Sequence, residues 1–119
     1  MTDPITPLVR AVAAAEPRVE NRDGAAVGTL QAYLVDKRSG QADFAVLSLG
    51  GFLGMGRSFY PVPFGLLDYD AVRDVYVVAL DRKQLEGGPS WANTPPAFDA
   101  GYVARVASYY GLAKGSTAG

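Results

Sequence analysis

A small, mainly β domain is what this sequence predicts: a compact β-barrel of about six short strands, with a C-terminal arm and helix packed on it. Three observations predict it. Apolar residues between Arg18 and Asp81 recur mostly with a period of two, as strands with one buried face require. Turn signals rich in Gly, Pro, Asn and Asp separate these runs at close spacing. Charge is thin inside the runs; between Val27 and Asp36 the single charged residue stands at the end. A chain of 119 residues is enough for one domain with one core.

Residues 1–17 read as an N-terminal extension, loose at its start. Two structures fit its second half. Thr6 can cap a short helix that begins at Pro7 and runs through Leu8, Val9 and Val12 to Pro17, or the segment is an extended lead-in strand. Residues 18–90 form the β domain. Arg18 to Asn21 is a short strand, and Arg22-Asp23-Gly24 is a turn in which Asp-Gly supplies positive φ. The strand from Val27 to Asp36 sets Leu30, Ala32 and Leu34 on one face and Thr29, Gln31 and Tyr33 on the other. After a polar loop at Lys37 to Gly40, Gln41 to Leu49 is the next strand, with Phe44 and Val46 on one side.

Gly50, Gly51, Gly54 and Gly56 crowd the following connection and predict a sharp reversal. Arg57 to Phe64 is extended again. Pro61 and Pro63 lie two apart, point to the same side and donate no ladder hydrogen bond, which puts this strand at an edge or a barrel seam. Asp68-Tyr69-Asp70 leads into a polar turn that closes at Arg73-Asp74, and Val75 to Asp81 is strongly β-prone. Asp81 is positioned to cap one helical turn over Arg82 to Glu86, stopped by Gly87-Gly88. Residues 91–111 are an irregular arm around Trp91 and then a helix. Asp99 is its cap, Tyr102, Val103, Val106 and Tyr110 form its apolar stripe, and Gly111 is its stop. Residues 112–119 are small and polar and are expected to be a disordered tail.

Composition removes most chemistry. Eleven basic residues against twelve acidic ones leave a net charge of −1, without the basic surplus that phosphate recognition demands, so nucleic acid is not the expected partner. The chain has neither cysteine nor histidine. Disulfides, thiolate nucleophiles and the commonest general base and transition-metal ligand are therefore excluded. No apolar run approaches the ~20 residues of a membrane span. The Ala-rich stretch Ala11 to Ala15 lacks the basic flank of a signal peptide, so a cytoplasmic location is expected.

Motif-like patterns fail on mechanism. Gly51 to Ser58 comes one residue short of a phosphate-binding loop, with Arg57 in place of its lysine. That loop must open a helix, whereas Phe59-Tyr60-Pro61-Val62-Pro63 cannot be helical. Asp68-x-Asp70-x-x-x-Asp74 imitates a calcium loop, yet Val72 and Arg73 stand where a ligand and a glycine belong, so the stretch reads as a solvated inter-strand turn. The serines and threonines have no histidine to activate them, and Lys37, Lys83 and Lys114 sit in turn or terminal contexts. No catalytic, cofactor or metal residues are assigned. Phe44, Phe59 and Tyr76 fall within strands and are read as core. Trp91, Phe98, Tyr102, Tyr109 and Tyr110 either dock the arm on the barrel or form an interaction surface, where aromatics are enriched.

The pattern Asn21-Arg22-Asp23-Gly24, Val27-Gly28, Val35-Asp36, Gly40, Leu49 to Gly56, Pro61-Val62-Pro63-Phe64, Asp81 and Leu85 resembles the PRC-barrel family over residues 18–90. The resemblance implies a compact barrel that works by contacts and brings no catalytic residues to transfer. In that family the domain occurs in the reaction-centre H subunit, in a bacterial ribosome maturation factor, and in small stand-alone proteins, whose tail Trp91 through Gly111 looks like. Phe64 stands where the family often has tryptophan. The membrane anchor of the first and the extra N-terminal domain of the second are not expected here, so neither role carries over. The expected function is a non-catalytic protein-interaction or scaffold module that self-associates as a homodimer. The alternatives are a small ligand bound under the C-terminal arm, or a ribosome- or RNA-associated factor.

Overall fold

The computed structural model describes residues 6–50 and 57–111. Its elements run β1 (Leu8–Val12), β2 (Arg18–Asn21), β3 (Ala26–Asp36), β4 (Ala42–Gly50), β5 (Arg57–Pro63), a 3-10 turn (Phe64–Leu66), β6 (Leu67–Asp70), β7 (Val75–Val78), α1 (Arg82–Glu86) and α2 (Ala100–Tyr109). All seven strands belong to one sheet, ordered β5-β4-β3-β2-β7-β6, with β1 laid on β3 in line with β2. Every pairing is antiparallel except β2 with β7.

Two cores lie on the two faces of this sheet. The inner core gathers Val19, Leu30, Leu47, Val62, Leu67 and Val78, one from each of β2 to β7, and Leu85 of α1 closes it. A sheet whose strands all reach one core must curl around it. The outer core lies over the other face of β3 and β4, where Ala32, Leu34, Phe44 and Val46 meet Leu8 of β1 and Phe98, Tyr102 and Val106 of the arm and α2. Strand β4 is therefore buried without interruption from Phe44 to Leu49.

A bulge lets β3 serve both cores. Leu30 pairs with Leu47 and Ala32 with the adjacent Val46, which leaves Gln31 as the extra residue. Leu30, Ala32 and Leu34 therefore do not share one face. Leu30 packs in the inner core and Ala32 and Leu34 in the outer one, while Tyr33 swings to the inner side. Alternation alone gives the wrong partition because one inserted residue reverses every later side chain.

The expected barrel of about six strands is a curled sheet of seven. The ends of the sheet, β5 and β6, are joined in sequence by the turn Phe64–Leu66, but no ladder pairs them among the described residues. Of the two readings of the N-terminal segment, the strand is the one observed, held by pairing with β3. Asp68 to Asp70 is likewise strand rather than turn: the hairpin partner Val75 to Val77 overrides the low β-propensity of aspartate, and Tyr69 packs on Tyr76 at 5.2 Å. The turn itself occupies residues 71–74, with Asp74 at φ 55°.

The proline pair explains why β5 is an end strand. Phe59 sends its N–H and its C=O away from β4, to Trp91, at 2.8 and 3.0 Å. Pro61 and Pro63 have the same parity, so their missing donors fall on the outer edge, where β4 does not need them. The glycine reversal Gly51, Gly54 and Gly56 lies outside the described residues, and so does the tail 112–119. Gly50 ends β4, paired with Arg57. Both helices are capped as the sequence indicates. Asp81 accepts from the Gln84 N–H at 2.8 Å while the Gln84 side chain accepts from the Asp81 N–H at 2.9 Å, and Asp99 accepts from the Tyr102 N–H at 2.9 Å.

One charge is buried in the sheet. The Glu20 carboxylate is 2% exposed and accepts from Arg73 at 2.6 Å and Arg18 at 3.2 Å. The guanidiniums remain in water while the carboxylate does not, so the pair ties the β6–β7 turn to β2. A tighter restraint sits at Gly28 of β3, where a Cβ would collide with the Ser48 carbonyl of β4 and approach the Leu49 side chain to 2.8 Å. Gly28→Ala is expected to cost roughly 1–3 kcal/mol, the range for overpacking a filled site. Thermal unfolding should show a midpoint lower by several degrees, whereas Gly65→Ala, whose Cβ meets nothing within 4 Å, should unfold like the wild type.

Candidate functional site

The C-terminal arm is attached to the sheet edge before it reaches α2. Trp91 pairs its backbone with Phe59 and stacks on the Phe59 ring at 6.0 Å, with 28° between the planes. The aromatic contact continues from Trp91 to Phe98 at 5.7 Å and from Phe98 to Tyr102 at 5.7 Å. Phe98 and Tyr102 are buried in the outer core, and Trp91 is half-buried. Of the three aromatics read as strand core, Phe44 is buried, Phe59 takes up Trp91, and Tyr76 belongs to a separate cluster with Tyr33, Phe64 and Tyr69.

The far end of α2 is fastened to α1. The Tyr109 hydroxyl donates to the Gln84 carbonyl at 2.7 Å, and the Tyr109 and Tyr110 rings meet edge to face at 4.8 Å. Gly87 and Gly88 lie directly beneath them. A Cβ on Gly88 would fall 2.9 Å from both the Tyr109 ring and the Tyr110 hydroxyl, and one on Gly87 would fall 2.8 Å from the Tyr109 hydroxyl. The sequence marks this pair as a helix stop. Its second task, close approach to two tyrosines some twenty residues later, has no local signal.

Between these two attachments the arm and α2 leave a shallow, largely open groove of about 950 Å³. Trp91, Pro89, Pro96, Tyr102, Arg105 and Tyr109 supply its larger walls, and no carboxylate among the described residues lines it. The Arg105 guanidinium rests over the Tyr102 ring at 5.3 Å, and no ion pair reaches it among the described residues. Of the five aromatics singled out from sequence, Trp91, Tyr102 and Tyr109 line the groove. Phe98 and Tyr110 support it from behind through Trp91 and Tyr109. Arg105 is the residue that sequence reading passed over, because a lone arginine on an exposed helix face carries no motif.

The other motif-like residues are engaged structurally. Arg57 donates to Ser48 at 2.8 Å and to Glu16 at 3.0 Å, so its guanidinium anchors the β1–β2 link to the sheet. Glu16 also accepts from Thr29 at 2.9 Å, which holds its backbone at φ 39°. Asp70 accepts from the backbone of Val72 and Arg73, and Asp74 from the Tyr69 hydroxyl at 2.6 Å. These carboxylates organise a hairpin. No helix among the described residues is long and apolar enough to cross a membrane.

A curled, mixed β-sheet capped by a short helix and strapped by a C-terminal aromatic arm defines this chain as a small β domain. The sequence model of the PRC-barrel domain matches residues 18–85, more than half of the chain, and the protein belongs to that family. No curated protein matches it.

Burial raises the Tyr102 phenol from 10.0 to about 12 and raises Tyr110 further; both hydroxyls are buried with no partner among the described residues. Burial likewise lifts Tyr76 to about 12, with help from its contact to Tyr33. A raised phenol pKa means that the folded protein holds protons that the unfolded chain releases above pH ~10. Stability is therefore complete below that point and falls as pH rises toward 12. An alkaline titration followed by tyrosinate absorbance and circular dichroism should show late phenol ionisation coincident with unfolding, and Tyr102→Phe should weaken this dependence. At neutral pH, Gly88→Ala should displace the end of α2, seen as faster amide exchange over residues 102–110 with strands β3 and β4 still protected.

Proposed function

We propose that this protein is a non-catalytic interaction or scaffold module that works by contact and associates with itself, and that its groove receives an acidic segment of a partner protein. The observation that carries the reading is the groove beneath the arm, in which Trp91, Tyr102, Tyr109 and Arg105 converge with no carboxylate among the lining residues. Tryptophan, tyrosine and arginine are the residue types that dominate binding energy at protein interfaces. A guanidinium over an aromatic face, with no carboxylate partner among the described residues, favours an acidic ligand that would neutralise its charge.

The volume of the groove favours one second reading, a small anionic ligand, since ligand sites commonly occupy some 300–1,000 Å³. Arg105 and Trp91 separate the two readings. Acidic peptides and small carboxylates titrated into labelled protein should perturb the amides of residues 87–109. Arg105→Glu should weaken the productive class by about tenfold or more, as loss of a charge-assisted hydrogen bond implies, without changing the thermal midpoint. Light scattering that finds a strict monomer, together with no groove perturbation by either class, would sink the proposal.

A further inference from the structure

The three exposed edges of the sheet are not equivalent. The outer edge of β5 is closed by Trp91 at Phe59 and carries no donor at Pro61 and Pro63. That of β6 is four residues long and bears Asp68 and Asp70, charges that discourage a further strand. Strand β1 has no covering arm, no proline and no carboxylate, and its one charge is Arg10. Flanking hydrogen bonds from Ala13 N–H to the Gln31 carbonyl and from Lys37 N–H to the Pro7 carbonyl fix its parity, so the odd-numbered residues bond to β3. The N–H and C=O groups of Leu8, Arg10 and Val12 therefore face outward, and among the described residues no backbone or side chain meets them. Val9 and Val12 are 47% and 61% exposed, two of the five exposed large apolar side chains among the described residues.

We infer that β1 is the self-association surface, and that two copies pair β1 antiparallel across a two-fold axis at Ala11 to extend the sheet from one chain into the other. The inference rests on the self-association reading above and names its surface. An isologous antiparallel pair must place each residue opposite its two-fold mate, and chemistry selects the centre. Centring on Arg10 would set two guanidiniums face to face, which is repulsive. Centring on Val9 would draw the partner strand toward Leu8, which already lies under α2 with Tyr102 and Val106. Centring on Ala11 puts Arg10 opposite Val12 of the second copy, where the aliphatic stem of the arginine covers the exposed valine. Ala11 then meets its own mate in the close, non-hydrogen-bonded type of pair, where small side chains let the strands approach. Five residues a side fall far short of the ~1,600 Å² of a standard interface, so the dimer is a weak one that assembles at high local concentration.

Because the chain has no cysteine, one introduced thiol reports the register directly. A non-hydrogen-bonded antiparallel pair sets Cα atoms about 4.5 Å apart, within disulfide range. Ala11→Cys should oxidise to a covalent dimer, and Val72→Cys, 95% exposed on the β6–β7 turn, should not. In sedimentation equilibrium, Val12→Lys should weaken the dimer by about tenfold by facing Arg10 of the second copy, whereas Val12→Glu should leave it at least as strong. Arg10→Pro, which removes an outward donor without breaking the β3 ladder, should abolish pairing while the thermal midpoint stays near that of the wild type. A wild type that stays monomeric at every concentration overturns the self-association reading and this surface together. A wild-type dimer that is indifferent to Val12→Lys and Arg10→Pro and uncrosslinked by Ala11→Cys overturns the surface alone.

Discussion

The structure depends on a strand that is apolar on both faces. From Phe44 to Leu49 every side chain of β4 is buried, so the sheet needs cover on each side. Curling supplies the inner cover, because six strands converge on Leu47 and its neighbours. The outer cover has to come from elsewhere in the chain, and α2 is the segment that provides it. Burying a side chain such as Leu or Phe is worth roughly 1.5–3 kcal/mol, which sets the scale of what holds the helix in place. The arm, its aromatic contacts and the groove they border follow from bringing α2 across the face of β4.

The management of backbone edges follows the same logic. Bringing the arm across the β5 edge uses the outward groups of Phe59, and the prolines remove the outward donors at 61 and 63. One feature therefore holds the helical cover and closes the edge against an additional strand. The acidic hairpin β6–β7 achieves the second effect by charge and short length. In each case a residue that weakens a strand internally stands where strand pairing is not wanted.

Much of this was legible in the sequence because it rests on local chemistry. Gly24 and Gly40 adopt φ of 88° and 77° at the two turns, and both capping aspartates stand at their helix starts. Pro61 and Pro63 announced the edge. What was not legible depends on residues distant in the chain. The bulge at Gln31 leaves no mark in a run that alternates well, so the division of Leu30 from Ala32 and Leu34 was missed. The strand identity of Asp68 to Asp70 comes from its partner β7, and that of Leu8 to Val12 from β3. For the candidate site, the aromatic members were visible by type, while Arg105 and the packing role of Gly87 and Gly88 emerge only when α2 lies against the arm.

The parallel ladder between β2 and β7 has a kinetic consequence. It joins Arg18–Asn21 to Val75–Val78, so more than fifty residues must be looped out before it forms, while β3, β4 and the β6–β7 hairpin close locally. Distant pairings of this kind slow folding, because the entropy of closure comes before any contact rewards it. The antiparallel meander from β2 to β5 needs only short closures, whereas docking of the β6–β7 hairpin onto β2, secured by Arg73 on Glu20, carries the long closure that completes the inner core.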